Sequence, residues 1–282
     1  MGSGRIALRW REPSVLPGFG PALGLALLYL SLIVLIPLAA LIARPWEHGL
    51  AAAWRAIADP RALAALRFSF SMALAAAVIN AVMGLAVAWV LVRYAFPGRR
   101  LLDAAVDLPF ALPTAVAGIA LTAVYGPHGW IGGLLAPLGV KIAYTPLGVF
   151  IALAAVGLPF VVRSVQPVLQ DLDAEVEEAA ITLGASAWRR AVSVILPTVL
   201  PALVSGFALA LARAVGEYGS VIFIAGNMPM RSEIAPLLIV IKLAQFDYAG
   251  AAAIGLAMLA ISFSVLIAVN LLQLALARRG AA

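Results

Sequence analysis

The chain has 282 residues, 64% of them hydrophobic and 11% charged, whereas a soluble domain is about half apolar and a quarter charged; the excess marks an integral membrane protein. It has no Cys and two well-separated histidines, His48 and His128, which excludes a disulfide framework, a thiolate metal site and redox chemistry through sulfur. The net charge of +6 sits in short clusters between apolar runs, the arrangement of topology determinants, which argues against a phosphate-tracking nucleic-acid surface.

A spanning helix needs about 20 mainly apolar residues. Six windows meet that need, at about 23–42, 68–92, 105–125, 147–162, 199–224 and 251–274. All are rich in Ala, Leu, Val and Ile, and alternating ten-residue amphipathic segments are missing, so the expected fold is all-α and polytopic rather than a barrel. Residues 1–20 carry Arg5, Arg9 and Arg11 with Pro13 and Pro17. The apolar run behind them is too long for a signal-peptide core, which makes it a retained first span. The chain then divides into a cytoplasmic N-terminal segment (1–20), a single transmembrane domain (21–277) and a cytoplasmic tail (278–282). Arg and Lys favour this orientation: with the N-terminus inside, Arg93, Arg99, Arg100, Arg163, Arg189, Arg190, Arg278 and Arg279 join the three N-terminal arginines on the cytoplasmic side.

The connector 44–67 holds Trp46 and Trp54 with Pro45 and Pro60, fitting either an interfacial segment or an ordinary link. Pro109 and Pro113 fix how the third helix starts, and Thr114 stands where it can reach a pathway. The fourth window is the shortest and contains Gly157-Leu158-Pro159, which predicts a kink or tilted entry.

Residues 163–197 form a polar island. Asp171, Asp173, Glu175, Glu177 and Glu178 crowd the start of a helical stretch, where carboxylates favour the positive end of the helix dipole. Val176, Ala179, Ala180 and Leu183 recur at helical spacing. Gly184 is the natural stop of this helix, and Ser186 is placed to cap a second one through Trp188, Ala191, Val192 and Ile195, before Leu196-Pro197 turns the chain back into the membrane. Amphipathicity alone equally fits an interfacial helix with Arg189 and Arg190 on anionic lipid.

The residue pattern separates these readings. Glu178-Ala179-Ala180, three residues, Gly184, nine residues, Val194, one spacer and Leu196-Pro197 resembles the EAA loop of ABC importer permeases, with Val194 where Ile is usual. The resemblance implies a type I importer permease fold whose loop docks in a groove of an ATPase subunit. Glu178 would be the polar anchor, Ala179 and Ala180 the close-contact face, Gly184 the bend, and Leu196 and Pro197 the return. The chain has no Gly-rich Lys-Ser/Thr phosphate loop, so ATP and Mg are expected on the partner, with no cofactor bound by this chain. Nor does it show a paired acid and base or an activated nucleophile; it is expected to be a transport subunit without catalytic activity of its own.

In the fifth window Arg213 and Glu217 would each cost about 2.5–3.5 kcal/mol at mid-span. Spaced i, i+4, they can pair. They fit a gate or pathway element continued by Tyr218 and Ser220, and equally a buried ion pair between spans. The following loop, 226–233, offers Asn227 and Arg231 as contacts for a binding protein, or is a plain turn. Leu108-Pro109-Phe110-Ala111-Leu112-Pro113-Thr114, Gly129-Trp130-Ile131-Gly132, Gly216-Glu217-Tyr218-Gly219-Ser220, Gly226-Asn227-Met228-Pro229 and Gln245-Phe246-Asp247-Tyr248-Ala249-Gly250 are similar to the sulfate/thiosulfate permeases of the CysT (CysU) type. That similarity runs from about 23 to 276. It implies a CysW-type second permease, two copies of a CysA-type ATPase and a periplasmic sulfate- or thiosulfate-binding protein, in a bacterial inner membrane. A molybdate or tungstate permease shares these features in part; an ATP-independent secondary transporter would need no docking loop and would show inverted-repeat halves.

Overall fold

The computed structural model describes residues 18–280, with side chains through Leu274 except that of Ala174. Residues 1–17 and 281–282 therefore lie outside the described residues, and with them most of the predicted N-terminal segment; so do the side chains of Arg278 and Arg279. In chain order the helices are α1 (Phe19–His48), α2 (Leu50–Ala58), α3 (Pro60–Arg93), α4 (Arg99–Val106), α5 (Leu108–Ala111), α6 (Thr114–Tyr125), α7 (Trp130–Leu135), α8 (Pro146–Gln170), α9 (Ala174–Thr182), α10 (Ala187–Val215), α11 (Gly219–Ile224), α12 (Ala235–Ala244) and α13 (Tyr248–Gly280). No strand occurs among the described residues, and the all-α expectation holds.

The bundle is organised around α3, α8 and α10, which pack on one another along their lengths. Small residues let them do so. A Cβ on Gly84 would lie 2.7 Å from Val161 Cβ, and one on Gly206 would lie 2.8 Å from Val161 Cα, so Val161 of α8 is held between a notch in α3 and a notch in α10. Ala73, Ala76, Ala77, Val149, Ala152, Val165, Val199 and Ala210 complete this core, all essentially without exposure. In lipid, where apolar surface gains nothing by leaving water, such close backbone approach is what drives helix association. By contrast α1 is exposed over nearly its whole length; its C-terminal end and α2 pack on α13. At the same end Ser69 Oγ of α3 accepts the Ala235 N–H of α12 at 2.8 Å. Asp247, just before α13, accepts from Lys242 Nζ at 2.9 Å and from the Gly250 N–H at 2.8 Å; the Lys242 ammonium first, and then that amide, hold its carboxyl below the usual carboxylate range.

Among the described residues five helices are long and apolar enough to cross a bilayer: Phe19–His48, Pro60–Arg93, Pro146–Gln170, Ala187–Val215 and Tyr248–Leu274. The predicted third span, 105–125, differs. Its apolar run is cut into α5 and α6, and α6 with 12 residues is about 18 Å long, short of the roughly 30 Å hydrocarbon core. Pro113 is the reason: it has no N–H to donate, and it forces Leu112 into extended backbone, φ −86° and ψ 134°. The fifth window is likewise interrupted, at residues 216–218 between α10 and α11. The fourth is longer than predicted, because α8 carries Pro159 and Pro167 inside one continuous helix.

Candidate functional site

Two regions gather the residues singled out by sequence: a hairpin at one end of the bundle and a pair of helix breaks within it.

In the hairpin, the Asp173 side chain accepts the Glu175 N–H at 3.0 Å and starts α9. The helix ends as predicted. Gly184 has φ +79°, a left-handed conformation that side chains disfavour, and the Gly184 and Ala185 N–H groups close onto the carbonyls of Ile181 and Ala180 at 2.8 and 3.0 Å. Ser186 then caps α10, its Oγ accepting the Arg189 N–H at 3.3 Å. Glu178, Ala179, Val176, Ile181, Leu183 and Trp188 are exposed, Leu183 to 87% and Trp188 to 78%; a hydrophobic edge stands open beside an acidic one.

Two details differ from expectation. Residues 163–170 belong to α8, so the polar island narrows to the segment from Asp171 to the start of α10. Leu196-Pro197 does not turn the chain, because α10 runs through it as one helix from Ala187 to Val215. The turn at 191–195 is widened to π geometry, which accommodates a proline that can neither donate nor fit a regular turn.

Arg163, Arg93 and Glu177 carry roles that their sequence context, basic flanks and an acidic helix start, did not separate from topology and dipole effects. Arg163 directs its side chain at α4: Nε and Nη2 fork onto Asp107 at 2.9 and 2.6 Å, and Nη1 reaches Asp103 Oδ1 at 2.6 Å and Gln166 Oε1 at 2.5 Å. Nη2 also donates to the Asp103 carbonyl at 2.9 Å, so the guanidinium is saturated and α4 is clamped to α8. Arg93, the last residue of α3, pairs through Nη2 with Glu177 of α9, its guanidinium carbon 5.4 Å from the Trp89 ring centroid. At the opposite end Arg61 forks onto the buried Glu233 carboxylate at 2.7 and 2.6 Å.

The second region lies where the break between α5 and α6 meets the break between α10 and α11. A Cβ on Gly118 would fall 2.4 Å from the Ser220 carbonyl oxygen, and one on Gly219 would fall 2.2 Å from Thr114 Oγ1; the two short helices cross in backbone contact. Glu217 is 3% exposed. Its Oε1 accepts both the N–H and the hydroxyl of Ser220, each at 2.9 Å, and its Oε2 meets Arg213 Nη1 at 2.5 Å. The carboxylate is thus neutralised and engaged in capping α11. Arg213 and Glu217 pair across the end of α10 rather than on an uninterrupted helix, since α10 stops at Val215. Thr114, Arg213, Glu217, Tyr218 and Ser220 are brought together here.

Asn227 and Arg231 are not equivalent. Asn227 turns inward, its Nδ2 donating to the Ile222 carbonyl at 2.9 Å and its backbone at φ +50°. Arg231 is exposed on a loop tied by three N–H groups, those of Arg231, Ser232 and Glu233, onto the Met228 carbonyl.

The profile of the family described as "binding-protein-dependent transport system inner membrane component" matches residues 80–279. The chain is 48% identical over 265 residues to the sulfate transport system permease protein CysT of Escherichia coli strain K12, covering 94% of this chain and 96% of that protein. It is 47% identical to the protein of the same description from Synechocystis, covering 88% and 86% respectively. Among solved structures it resembles a subunit of a bacterial ABC transporter involved in the import of alginate, with a TM-score of 0.75, 13% identity, and 90% and 94% of the two chains covered. That likeness shows the fold: the helices are arranged as in an ABC importer permease.

Proposed function

The chain belongs to the family of binding-protein-dependent transport system inner membrane components, and from that premise we propose that it is the CysT-type permease subunit of an ATP-driven sulfate importer. The observation that carries the substrate is the 48% identity to the Escherichia coli CysT protein over nearly the full length of both chains. Identity at that level over nearly the whole of both chains supports the same substrate class.

The geometry supports a division of labour. The exposed hairpin, with its acidic helix start and left-handed Gly184, is the surface offered to a CysA-type ATPase, and Glu178, Ala179, Ala180 and Gly184 are its contact and bend. It lies on the cytoplasmic side, together with both termini, where ATP is available. Thiosulfate is a second cargo of the same shape and charge. The complete transporter holds a CysW-type second permease, two CysA-type ATPases and a periplasmic sulfate- or thiosulfate-binding protein, which meets the 226–233 loop around Arg231. The paired breaks at Leu112–Pro113 and 216–218 support a pathway wall beside Thr114 and Glu217, because non-helical backbone in the membrane is tolerated only against protein or a water-filled space. With Glu217 neutralised by Arg213, this pair presents no net negative charge to a dianion.

The test is uptake of labelled sulfate by cells lacking their own sulfate permeases and supplied with this chain and its partner subunits. Uptake that is competed by thiosulfate and not by molybdate is the expected result. Uptake of molybdate in place of sulfate refutes the substrate; equal uptake without the ATPase refutes the importer.

A further inference from the structure

Three arginines pair with carboxylates across elements, and they do so differently. Arg61 and Arg163 each use Nε and Nη2 together as a fork on one carboxylate. Arg93 uses Nη2 alone on Glu177, and its Nε is buried without an acceptor. The closed forks join parts of the bundle to each other; the half-used one joins the bundle to the hairpin.

Little else holds α9 there. Its apolar residues Val176 and Ile181 are about half exposed, and where the next helix passes α3 a cavity of about 310 Å³ opens between Trp89, Leu85 and Val82 on one side and Trp188, Val192 and Leu196 on the other. Among the described residues Arg93–Glu177 is the ion pair between hairpin and bundle. The pair is also favoured by both helix ends: Arg93 is in the last turn of α3 and Glu177 in the first turn of α9, where a cation and an anion respectively complement the dipole. On the bundle side the load falls on α3, which packs along both α8 and α10. Trp89, one turn back, sets the direction of the guanidinium.

We propose that the Arg93–Glu177 pair is the tie through which displacement of the cytoplasmic hairpin is passed to α3, with the open Nε providing a second seat for the Glu177 carboxylate when the hairpin moves. Arg93 and Glu177 are then positioning residues for coupling, and touch neither nucleotide nor anion. The proposal rests on the importer reading above. An ion pair suits this task better than apolar packing, because a half-filled fork can shift between one and two hydrogen bonds without separating charge, while a packed surface resists sliding.

The experiment uses the assembled transporter in proteoliposomes, with Glu177→Gln, Arg93→Gln and the exchanged pair Arg93→Glu with Glu177→Arg. Anion uptake per ATP hydrolysed is expected to fall about tenfold in each single variant, while assembly and nucleotide hydrolysis persist. The exchanged pair recovers coupling in part, since each charge then opposes its helix end. Single variants that keep the native ratio, or an exchanged pair no better than either, overturn the proposal. A second measurement needs no transported anion. The chain has no native Cys, so spin labels on Tyr94→Cys and Thr182→Cys, both at exposed positions, report only the separation of α3 from the hairpin. On nucleotide binding that distance should change by no more than the shift from one hydrogen bond to two in the native background, and by clearly more with Glu177→Gln. A distance that changes equally in both overturns the tie, whereas a distance held within that shift in a complex that fails to import sulfate leaves the tie standing and removes only the substrate.

Discussion

Gly184 isolates one physical term in the hairpin. Its φ is +79°, and a Cβ built there meets nothing within 4 Å, so a substitution incurs the backbone penalty with no steric clash. For an L-residue that penalty is about 1–2 kcal/mol, and the hairpin buries too little apolar surface to absorb it. A loss of that size lowers the ratio of native to non-native bend by a factor of about 5–30. Gly184→Ala is therefore expected to reduce the initial rate of labelled sulfate uptake measurably and by at most that factor, in cells where immunoblotting shows equal membrane insertion. Gly184→Asn, whose side chain tolerates the left-handed region, should lose less, and Gly184→Pro, locked near φ −65°, should abolish uptake. The ordering Asn, Ala, Pro follows from backbone conformation alone. Alanine at the native rate, or Asn as damaging as Pro, would refute the reasoning and make the glycine incidental.

Gly118→Ala puts a methyl 2.4 Å from the Ser220 carbonyl and must push α6 off α11; a loss of about 1–3 kcal/mol is expected, read as a lower unfolding midpoint in nanodiscs, whereas Gly133→Ala, with its nearest neighbour at 3.7 Å, should unfold like the native chain. Arg61→Met leaves the Glu233 carboxylate, 1% exposed in its side chain, without its cation and should cost about 3 kcal/mol. Adding Glu233→Met should restore most of that in the same assay, and a double variant as unstable as the single one would contradict it. Asp247 is held below the usual carboxylate range by Lys242 and the Gly250 amide. Its contribution to stability is thus present above the ordinary Asp range and lost as pH falls through the lowered native value. The gap in unfolding midpoint between the native chain and Asp247→Asn should close as the pH is taken below that range, and a gap independent of pH would exclude the ion pair as its cause.

What depends on neighbours along the chain was settled by the order of the residues. Apolar runs of sufficient length and their Ala, Leu and Val content gave a helical membrane protein, because every backbone group must be satisfied inside lipid. The turn chemistry of Asp173, Gly184 and Ser186 is local as well, each acting on N–H groups or dihedrals within four residues, and so the hairpin was legible before any coordinates. The span count was less so: Pro113 signalled a helix start, but hydropathy averages over a window and passes across a break that one proline enforces. The tertiary structure alone decided the partners of the charges. Arg93 and Arg163 read alike as cytoplasmic flanking cations, yet their carboxylates stand 84 and 56 residues away, and that of Arg61 stands 172 residues away. Likewise, that Gly118 and Gly219 serve a crossing of α6 and α11, and that Glu217 caps α11, follows from where two helix breaks meet. Such meetings depend on the packing of segments about a hundred residues apart, and periodicity along one helix carries no record of which break lies beside which.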